Sequence, residues 1–595
     1  EKPKINVNTP AKKYKYLYIL NNFCTKIIIN FLQYNARDSI NYYICVLICT
    51  DLKKILLFLL ISNFAFSQWS IPNSERNALI TIYNATNGEN WNRTWDLDKD
   101  PRNWFGISVK NGAVTELNLS GNALKGNFPS NLTSFPKLTK LDLSNNQLSG
   151  DMATGISSLS LLTKLDISNN RLTGDPTQSL TGLFNVDDLA LGGNLFTIPD
   201  VNGLLQNFNN IKTLNLSDLG LINIPAKITA FTNLETLILD NNPIPANAFG
   251  NIANHPKLTN LSLSGLQLTQ IPTQISQLTQ LTSLNLSNNA LTEQTTSGLS
   301  NLTNLVWLSL ENNQLAQIPS QIPQLKKLQT LNLGRNKISG GVSLLTDLPN
   351  LQQLFLNNNL LTGNIPSEFL GMPQLLMLNL NSNQLSGDLN DRLPPITHLS
   401  NNRFNKAQLS NYVTDYNVQT DLDYSPQRYD GLKEVLGTIG QPAKLDQSLS
   451  GSDYTFTWYK NLDQKTNTTS PDLNFSSVEE SDYATYTAEA YTYSVLDNSV
   501  VFDLSLFREP ISLVKVLGTE ESAKYFNIYP NPTSEFLNIV STKYDIQKVH
   551  IYDLSGKQIL SESKSRIDVS KLPSGVYMLI IKTQEGNKNF KFIKQ

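Results

Sequence analysis

Leucine and asparagine recur along most of this chain in one phrase. Leu141-Asp-Leu-Ser-Asn-Asn146-Gln-Leu148, Leu165-Asp-Ile-Ser-Asn-Asn170-Arg-Leu172 and Leu284-Asn-Leu-Ser-Asn-Asn289-Ala-Leu291 all fit L-x-x-L-x-L-x-x-N-x-L. The asparagine column reads Asn122, Asn146, Asn170, Asn194, Asn242, Asn289, Asn313, Asn336, Asn359 and Asn383, with Leu219 and Leu266 as exceptions, at spacings of 23 to 25 residues. The alternating L-x-L core predicts a short strand with inward leucines. One such unit cannot bury its own apolar face, so the pattern predicts stacking of many units around a continuous core. The asparagine then lies inside the stack, where it must hydrogen-bond the neighbouring turns, because unpaired buried polar groups are costly. Leu219 and Leu266 should be weaker joints, or places where apolar packing replaces that bond. The opposite side reads Ile224-Pro225, Ile271-Pro272 and Ile318-Pro319, or Leu148-Ser-Gly150 and Leu361-Thr-Gly363. Proline removes an amide donor, so extended or short 3₁₀ segments are expected there rather than long helices.

This phrase at this period resembles the leucine-rich repeats. The resemblance implies a repeat solenoid over 114–404, of about 12–13 repeats, with a parallel β-sheet on the concave side and a mostly irregular or 3₁₀ convex side. Both solenoid ends need covers. At the front, 68–113, Ser74 can N-cap a helix carrying Ala78, Leu79, Ile82 and Tyr83 at helical spacing. Asn90-Trp91 and Trp104-Phe105-Gly106, with Trp95 between them, resemble the N-terminal cap of plant-receptor-type repeats, though without that cap's cysteines. At the rear, Leu399-Ser-Asn-Asn402-Arg-Phe404 is a truncated repeat, 19 residues after Asn383, expected to close the stack.

The period stops at 405–430, read as a linker, and alternation typical of strands takes over. In 431–515, Thr455-Phe-Thr-Trp458-Tyr-Lys460 and Asp482-Tyr-Ala-Thr-Tyr486-Thr487 resemble the strand-C tryptophan and tyrosine corner of immunoglobulin-like domains. That resemblance implies an Ig-like β-sandwich in which Ala488 and a residue near Leu445 stand where the disulfide would be; a fibronectin-like sandwich is the alternative. After a linker at 516–525, residues 526–595 hold Tyr529-Pro530-Asn531-Pro532, Tyr552-Asp-Leu-Ser-Gly556, Gly575-Val-Tyr577 and Lys594. These motifs resemble the C-terminal sorting domain of the type IX secretion system, and imply a small β-sandwich that engages that machinery.

The other end agrees with export. Lys53-Lys54, the apolar run Ile55–Ile61 and Ala65-Phe66-Ser67 make 52–67 a secretory signal peptide. The run is short for a membrane-spanning helix, so no transmembrane anchor is expected in the mature chain. Residues 1–51 contain no methionine and no clear period. They read as upstream sequence translated in frame, with Leu52 at a non-AUG start, or else as a disordered extension.

Charge narrows the partners. Residues 1–67 carry net +6 and residues 526–595 net +4, while the whole chain is −2, so 68–525 is acidic. An acidic body argues against nucleic acid, whose phosphates require clustered lysine and arginine. All three cysteines, Cys24, Cys45 and Cys49, precede residue 52, which leaves no disulfide, thiol nucleophile or cysteine metal site beyond it.

Catalytic chemistry is hard to find. The three histidines, His255, His398 and His550, have no serine, cysteine or carboxylate motif at a useful local spacing. Asp96-x-Asp98-x-Asp100 hints at a calcium loop, but an EF-hand would need glycine where Pro101 stands and glutamate where Ile107 stands, so a solvated acidic turn is expected. No catalytic residue, metal or cofactor is expected, and the chain reads as a non-enzyme. Binding falls to the concave face. Its outward positions begin polar and mostly charged, Glu116, Asn118, Lys140, Asp142, Lys164, Asp166 and Asp188, with Ala190 the exception and with the alternation of charge expected of a solvated surface. They then turn apolar at Ile238, Trp307, Phe355 and Met377, bordered by Glu311, Arg335 and Gln353. With strands about 4.8 Å apart, Trp307, Phe355 and Met377 should fall within roughly 15 Å. The expected function is recognition or adhesion, with a protein or glycan bound on this face of a secreted or outer-surface protein of a Gram-negative bacterium. The alternative is a non-binding spacer or a subunit of a surface assembly.

Overall fold

A computed structural model describes residues 71–389, 392–416, 422–449, 451–462, 464–467, 470–496, 501–515, 525–553 and 557–595. The signal peptide expected at 52–67 and residues 1–51 lie outside them. The chain divides into two compact units, Glu1–Asn313 and Gln314–Gln595, each described by itself.

The first unit opens with helix Asn73–Ala85, which buries Ala78, Leu79, Ile82 and Tyr83. Its N-cap is Pro72, not Ser74: the proline holds the entering backbone extended, and Ser74 falls inside the first turn with no capping bond. Behind the helix, Trp91 and Trp95 meet edge to face at 4.9 Å, and Trp95 stacks on Trp104 at 4.8 Å. Each indole N–H donates to a backbone carbonyl, of Thr86, Phe105 and Asp96 respectively. This satisfied aromatic core covers the solenoid's front without cysteines. Glu75, 2% exposed, accepts from the Val114 amide at 2.7 Å and so ties the cap to the first repeat.

Ile107–Lys110 pairs antiparallel with Ala113–Asn118, and from there the strands run parallel. Lys140–Asp142, Lys164–Asp166, Asp188–Ala190, Thr213–Asn215, Thr236–Ile238, Asn260–Ser262, Ser283–Asn285 and Trp307–Ser309 follow in order. Leu117, Leu141, Leu165, Leu189, Leu214, Leu237, Leu261, Leu284 and Leu308 face one another across these strands and are buried. The convex side carries short 3₁₀ segments such as Ala226–Ala230 and Thr273–Gln277, with single α-turns at Thr177–Leu180 and Val201–Leu205.

The Asn-Asn doublets do two different jobs. The second asparagine is the bridge: Asn146 donates to the Leu119 carbonyl of the preceding repeat and to Leu143 and Ser144 of its own, and its Oδ1 accepts from Asn122 and Leu124. Asn170 and Asn313 repeat the scheme. The first residue of the doublet has positive φ, from 53° to 71°, at Gly121, Asn145, Asn169, Gly193, Asp218, Asn241, Gly265, Asn288 and Asn312. Only glycine and short polar side chains enter that region at little cost, hence the composition. Leu266 is buried where its asparagine would be, whereas Leu219 stays half-exposed. Next to Leu266, the Ile244 amide turns back to the Asn242 carbonyl at 2.8 Å instead of bonding an asparagine from the following repeat.

The second unit continues the scheme with strands Thr330–Asn332, Gln353–Phe355, Met377–Asn379 and Ile396–His398, and bridges Asn336, Asn359, Asn383 and Asn402. Leu399–Phe404 does not close the stack. Strand Leu422–Asp423 adds to Ile396–His398, and helix Lys406–Tyr416 buries Leu409, Tyr412 and Val413. The described part of 405–430, expected as a linker, is therefore a capping helix and one more strand of the sheet. Its apolar residues at helical spacing escape a search for L-x-L.

Gln427–Tyr429 then pairs with Val501–Arg508 in a β-sheet that also contains Thr485–Val495, Thr455–Lys460 and Gln464–Asn467. Leu445, Trp458, Tyr486 and Ala488 share one core, and the Tyr486 hydroxyl donates to the Asp482 carbonyl at 2.8 Å. Residues 526–595 form two sheets, Phe526–Tyr529 with Phe536–Ser541 and Arg566–Asp568, and Gln558–Glu562 with Lys548–Tyr552, Gly575–Thr583 and Gly586–Lys594. Their core holds Leu537, Ile551, Leu579 and Phe592. Among the described residues no helix is long and apolar enough to cross a membrane.

Candidate ligand-binding face

In the first unit, the outward row of the early strands is charged and internally paired. Lys140 meets Glu116 at 3.0 Å. Lys164 lies between Asp188 at 3.4 Å and Asp142 at 3.8 Å, and Lys212 meets Asp187 at 2.8 Å. The expected solvated face is a comb of ion pairs around a groove of about 450 Å³ lined by Glu116, Lys140, Asp142, Lys164, Asp187 and Asp188. Burial pushes the Asp166 carboxyl up against the opposing bonds from Ser168. Partial burial alone would lower the Lys164 ammonium; Asp188, Asp142 and Asp166 outweigh it, so the group is raised. Asp240 is likewise raised by burial although it accepts from Ser262 and Ser264.

Further along, Ile238 is half-buried between Asn215 and Ser262. Trp307 is half-buried and faces Ser283. Glu311 follows that strand, with its carbonyl accepting from Asn288 and from Asn313.

In the second unit, Gln353 faces Met377 across paired strands, and Phe355 lies between Asn332 and Asn379. Phe355 and Met377 are both half-buried, but they occupy different rows of the sheet. Arg335 is exposed and has φ of 55°, the left-handed conformation that glycine, asparagine and aspartate adopt at this point of the repeat turn in the first unit. The equivalent residues of this unit are Asn358, Ser382 and Asn401. Sequence reading saw a charge at 335 and missed the backbone that carries it.

A second cluster escaped the sequence because one repeat period separates its members. The Asp423 carboxylate accepts from Asn381 at 3.2 Å and Ser400 at 3.1 Å, and its Oδ2 lies 3.6 Å from His398 Nδ1. The absence of a carboxylate near His398 holds only along the chain; in space Asp423 is beside it. The serine hydroxyl points to the carboxylate, not to the imidazole, so the arrangement lacks the base-to-nucleophile contact of a hydrolytic triad. His255 is buried and His550 lies on strand Lys548–Tyr552. Of the aspartates at 96, 98 and 100, Asp100 accepts the Arg102 amide and pairs with its guanidinium at 2.6 Å, and Asp96 accepts the Asp98 amide at 3.1 Å.

The C-terminal motif residues are brought together in part. Tyr529, Pro530, Asn531 and Pro532 are exposed. Asn531 is bonded to the last strand, accepting from Ile593 at 2.8 Å and donating to the Lys591 carbonyl. Gly575 opens strand Gly575–Thr583, Tyr577 stacks on Phe592 at 5.6 Å, and Lys594 is buried. Gly556 lies outside the described residues.

Repeats and tail together define the class: a leucine-rich-repeat protein with a secretion tail. The Leucine Rich Repeat family model matches residues 113–135, 137–159, 161–183, 280–302 and 350–372. The Secretion system C-terminal sorting domain matches residues 527–595, which implies secretion to the cell surface or the extracellular space. No curated protein matches the chain. Among solved structures, an internalin (InlF) from Listeria monocytogenes is 28% identical over 48% of this chain and 87% of its own, with a TM-score of 0.37. The receptor kinase HAESA of Arabidopsis, solved with the peptide hormone IDA and the co-receptor SERK1, is 25% identical over 62% and 67%, with a TM-score of 0.45. A leucine-rich-repeat protein of Leptospira interrogans is 27% identical over 51% and 76%, with a TM-score of 0.40.

Proposed function

We propose that this is a recognition or adhesion protein, released from or displayed on the outer surface of a Gram-negative bacterium, that binds a protein or glycan on the concave face of its repeats. In the first unit the contact residues are Ile238, Trp307 and Glu311, and in the second Arg335, Gln353, Phe355 and Met377. The observation that carries this reading is Arg335. A left-handed arginine costs roughly 1 kcal/mol relative to glycine, and strain kept against such a cost clusters at binding sites. Half-exposed Phe355 and Met377 on the same unit's sheet offer apolar area of the kind that anchors partners. In the comb, Lys140 and Lys164 are already paired with carboxylates of the same face. That stretch supports the alternative of a spacer, or of a subunit in a surface assembly.

The test is a binding screen of the purified protein against surface proteins and glycans, with a Trp307→Ala/Phe355→Ala variant alongside. Saturable binding lost in the folded variant supports recognition at this face. Unchanged binding moves the site elsewhere, and no binding at all leaves the spacer or assembly-subunit reading.

A further inference from the structure

His255 breaks a rule that its neighbours keep. The same position on the convex side of the other repeats is held by Phe135, Leu159, Leu183, Phe208, Phe231 and Leu278, all buried. The register is fixed by a shared bond, in which the residue's carbonyl accepts from the residue three further on: Phe231 from Leu234 at 3.0 Å and His255 from Leu258 at 3.1 Å. An imidazole thus stands in an apolar column, only 2% exposed. Both of its nitrogens meet backbone carbonyl oxygens, Nδ1 that of Ile252 at 3.0 Å and Nε2 that of Ile228, in the adjacent repeat, at 2.9 Å. In the neighbouring repeats the counterpart of the Ile252 carbonyl accepts a backbone amide instead, as Ile228 does from Phe231 and Ile275 from Leu278.

Carbonyl oxygens only accept. A neutral imidazole has one N–H and one lone pair, so it can satisfy one of the two carbonyls while setting a lone pair against the other. The ring protonated on both nitrogens satisfies both. His255 ends the repeat that carries Asn242, and Asn242 already bridges to the preceding repeat by donating to the Leu216 carbonyl at 2.9 Å, so the imidazole adds a second polar link to the same pair of repeats. The charged side chains on the surrounding turns are Lys227 and Lys257. Lys227 lies over the Phe231 ring at 5.9 Å and Lys257 donates to Asn233 at 2.7 Å, while the Gln280 amide donates to the His255 carbonyl. Neither lysine pairs with the imidazole.

We infer that His255 is a protonation-dependent staple between two repeats, closed when the ring carries both protons and loosened when it loses one. Hydrogen exchange on the full chain tests it, at the amides of Phe231 and Leu258, between about pH 5 and pH 8, where imidazole changes charge. After correction for intrinsic exchange, protection should fall roughly tenfold across that range in the native protein, in line with one buried acceptor losing its donor. It should stay flat in His255→Phe, which restores the column, and in His255→Gln, which cannot titrate. Nitrogen chemical shifts of the His255 ring should report two N–H groups at the acidic end. A native profile as flat as the variants', or variants that keep the slope, overturns the inference. So does a ring with a single proton throughout.

Discussion

Gln427 repeats, 25 residues on, the hydrogen bonds of Asn402. Asn402 donates to Leu380 of the preceding turn and Leu399 of its own, and accepts from Leu385. Gln427 donates to Leu399 and Tyr424, and accepts from Phe404. The asparagine ladder therefore ends on a glutamine. Gln427 also begins the strand that pairs with Val501–Arg508, so the last rung of the repeats is the first residue of the following sheet. The hairpin of that sheet reaches back onto the repeats' end: Phe502 stacks on Tyr424 at 5.4 Å, and the Ser505 amide donates to Ser425. The Ig-like resemblance concerns a domain that serves as the solenoid's rear cover.

Gln427→Ala should lower stability by about 2 kcal/mol, since it leaves the buried Leu399 carbonyl and Phe404 amide and the part-buried Tyr424 carbonyl without this partner. Denaturant unfolding followed by Trp458 fluorescence should shift together with the loss of amide protection at Leu399 and Phe404. Separate transitions would show the cover and the repeats to be independent.

Much of this architecture is legible in the residues. Period and leucine spacing give the parallel sheet and its inward face, and the asparagine column gives the bridge. What escapes is what depends on the third dimension. Gln427 is not an asparagine and follows a stretch with no L-x-L. His398 and Asp423 are one turn apart and meet only once the repeats stack. Ser74 has the right chemistry for a cap, but Pro72 sets the helix start two residues earlier. The two roles within Asn-Asn separate only when backbone angles are known, because both look like a preference for asparagine. For the concave face, sequence names the outward residues; the rows to which Phe355 and Met377 belong come from the strand register.

Glu75→Gln tests the front cap. Burial raises the Glu75 carboxyl even though the Val114 amide bonds it. A carboxyl raised on folding favours the native state while protonated, and that contribution is lost as pH climbs through its folded value. Glutamine keeps an acceptor for Val114 and cannot ionise. The variant should match the native melting temperature near pH 4 and exceed it at pH 7. A lower melting temperature at pH 7 would mean that the charged hydrogen bond outweighs its desolvation.

Lys164→Met tests the charged comb. The substitution leaves Asp142, Asp166 and Asp188 without the cation between them. With these groups partly solvated, the cost should be about 1 kcal/mol at neutral pH and low salt, shrinking as salt screens the carboxylates or acid protonates them. Urea unfolding at two salt concentrations measures this. A cost independent of salt would assign the effect to lost packing of the lysine stem.

Arg335→Gly separates fold from function at one position. Glycine adopts positive φ freely, so the backbone conformation of Arg335 should be retained and stability should rise by about 0.5–1 kcal/mol. If arginine is kept there for its side chain, the same variant should bind the ligand more weakly while melting higher, since strain held at a binding site trades stability for contact. Arg335→Asn sharpens the comparison, because asparagine is what Asn358 and Asn401 use at the same point of their turns. A stabilised variant with full binding would leave Arg335 a tolerated substitution in a permissive turn. A destabilised one would mean that the guanidinium makes contacts worth more than the strain, and would shift its role from recognition to the solenoid itself.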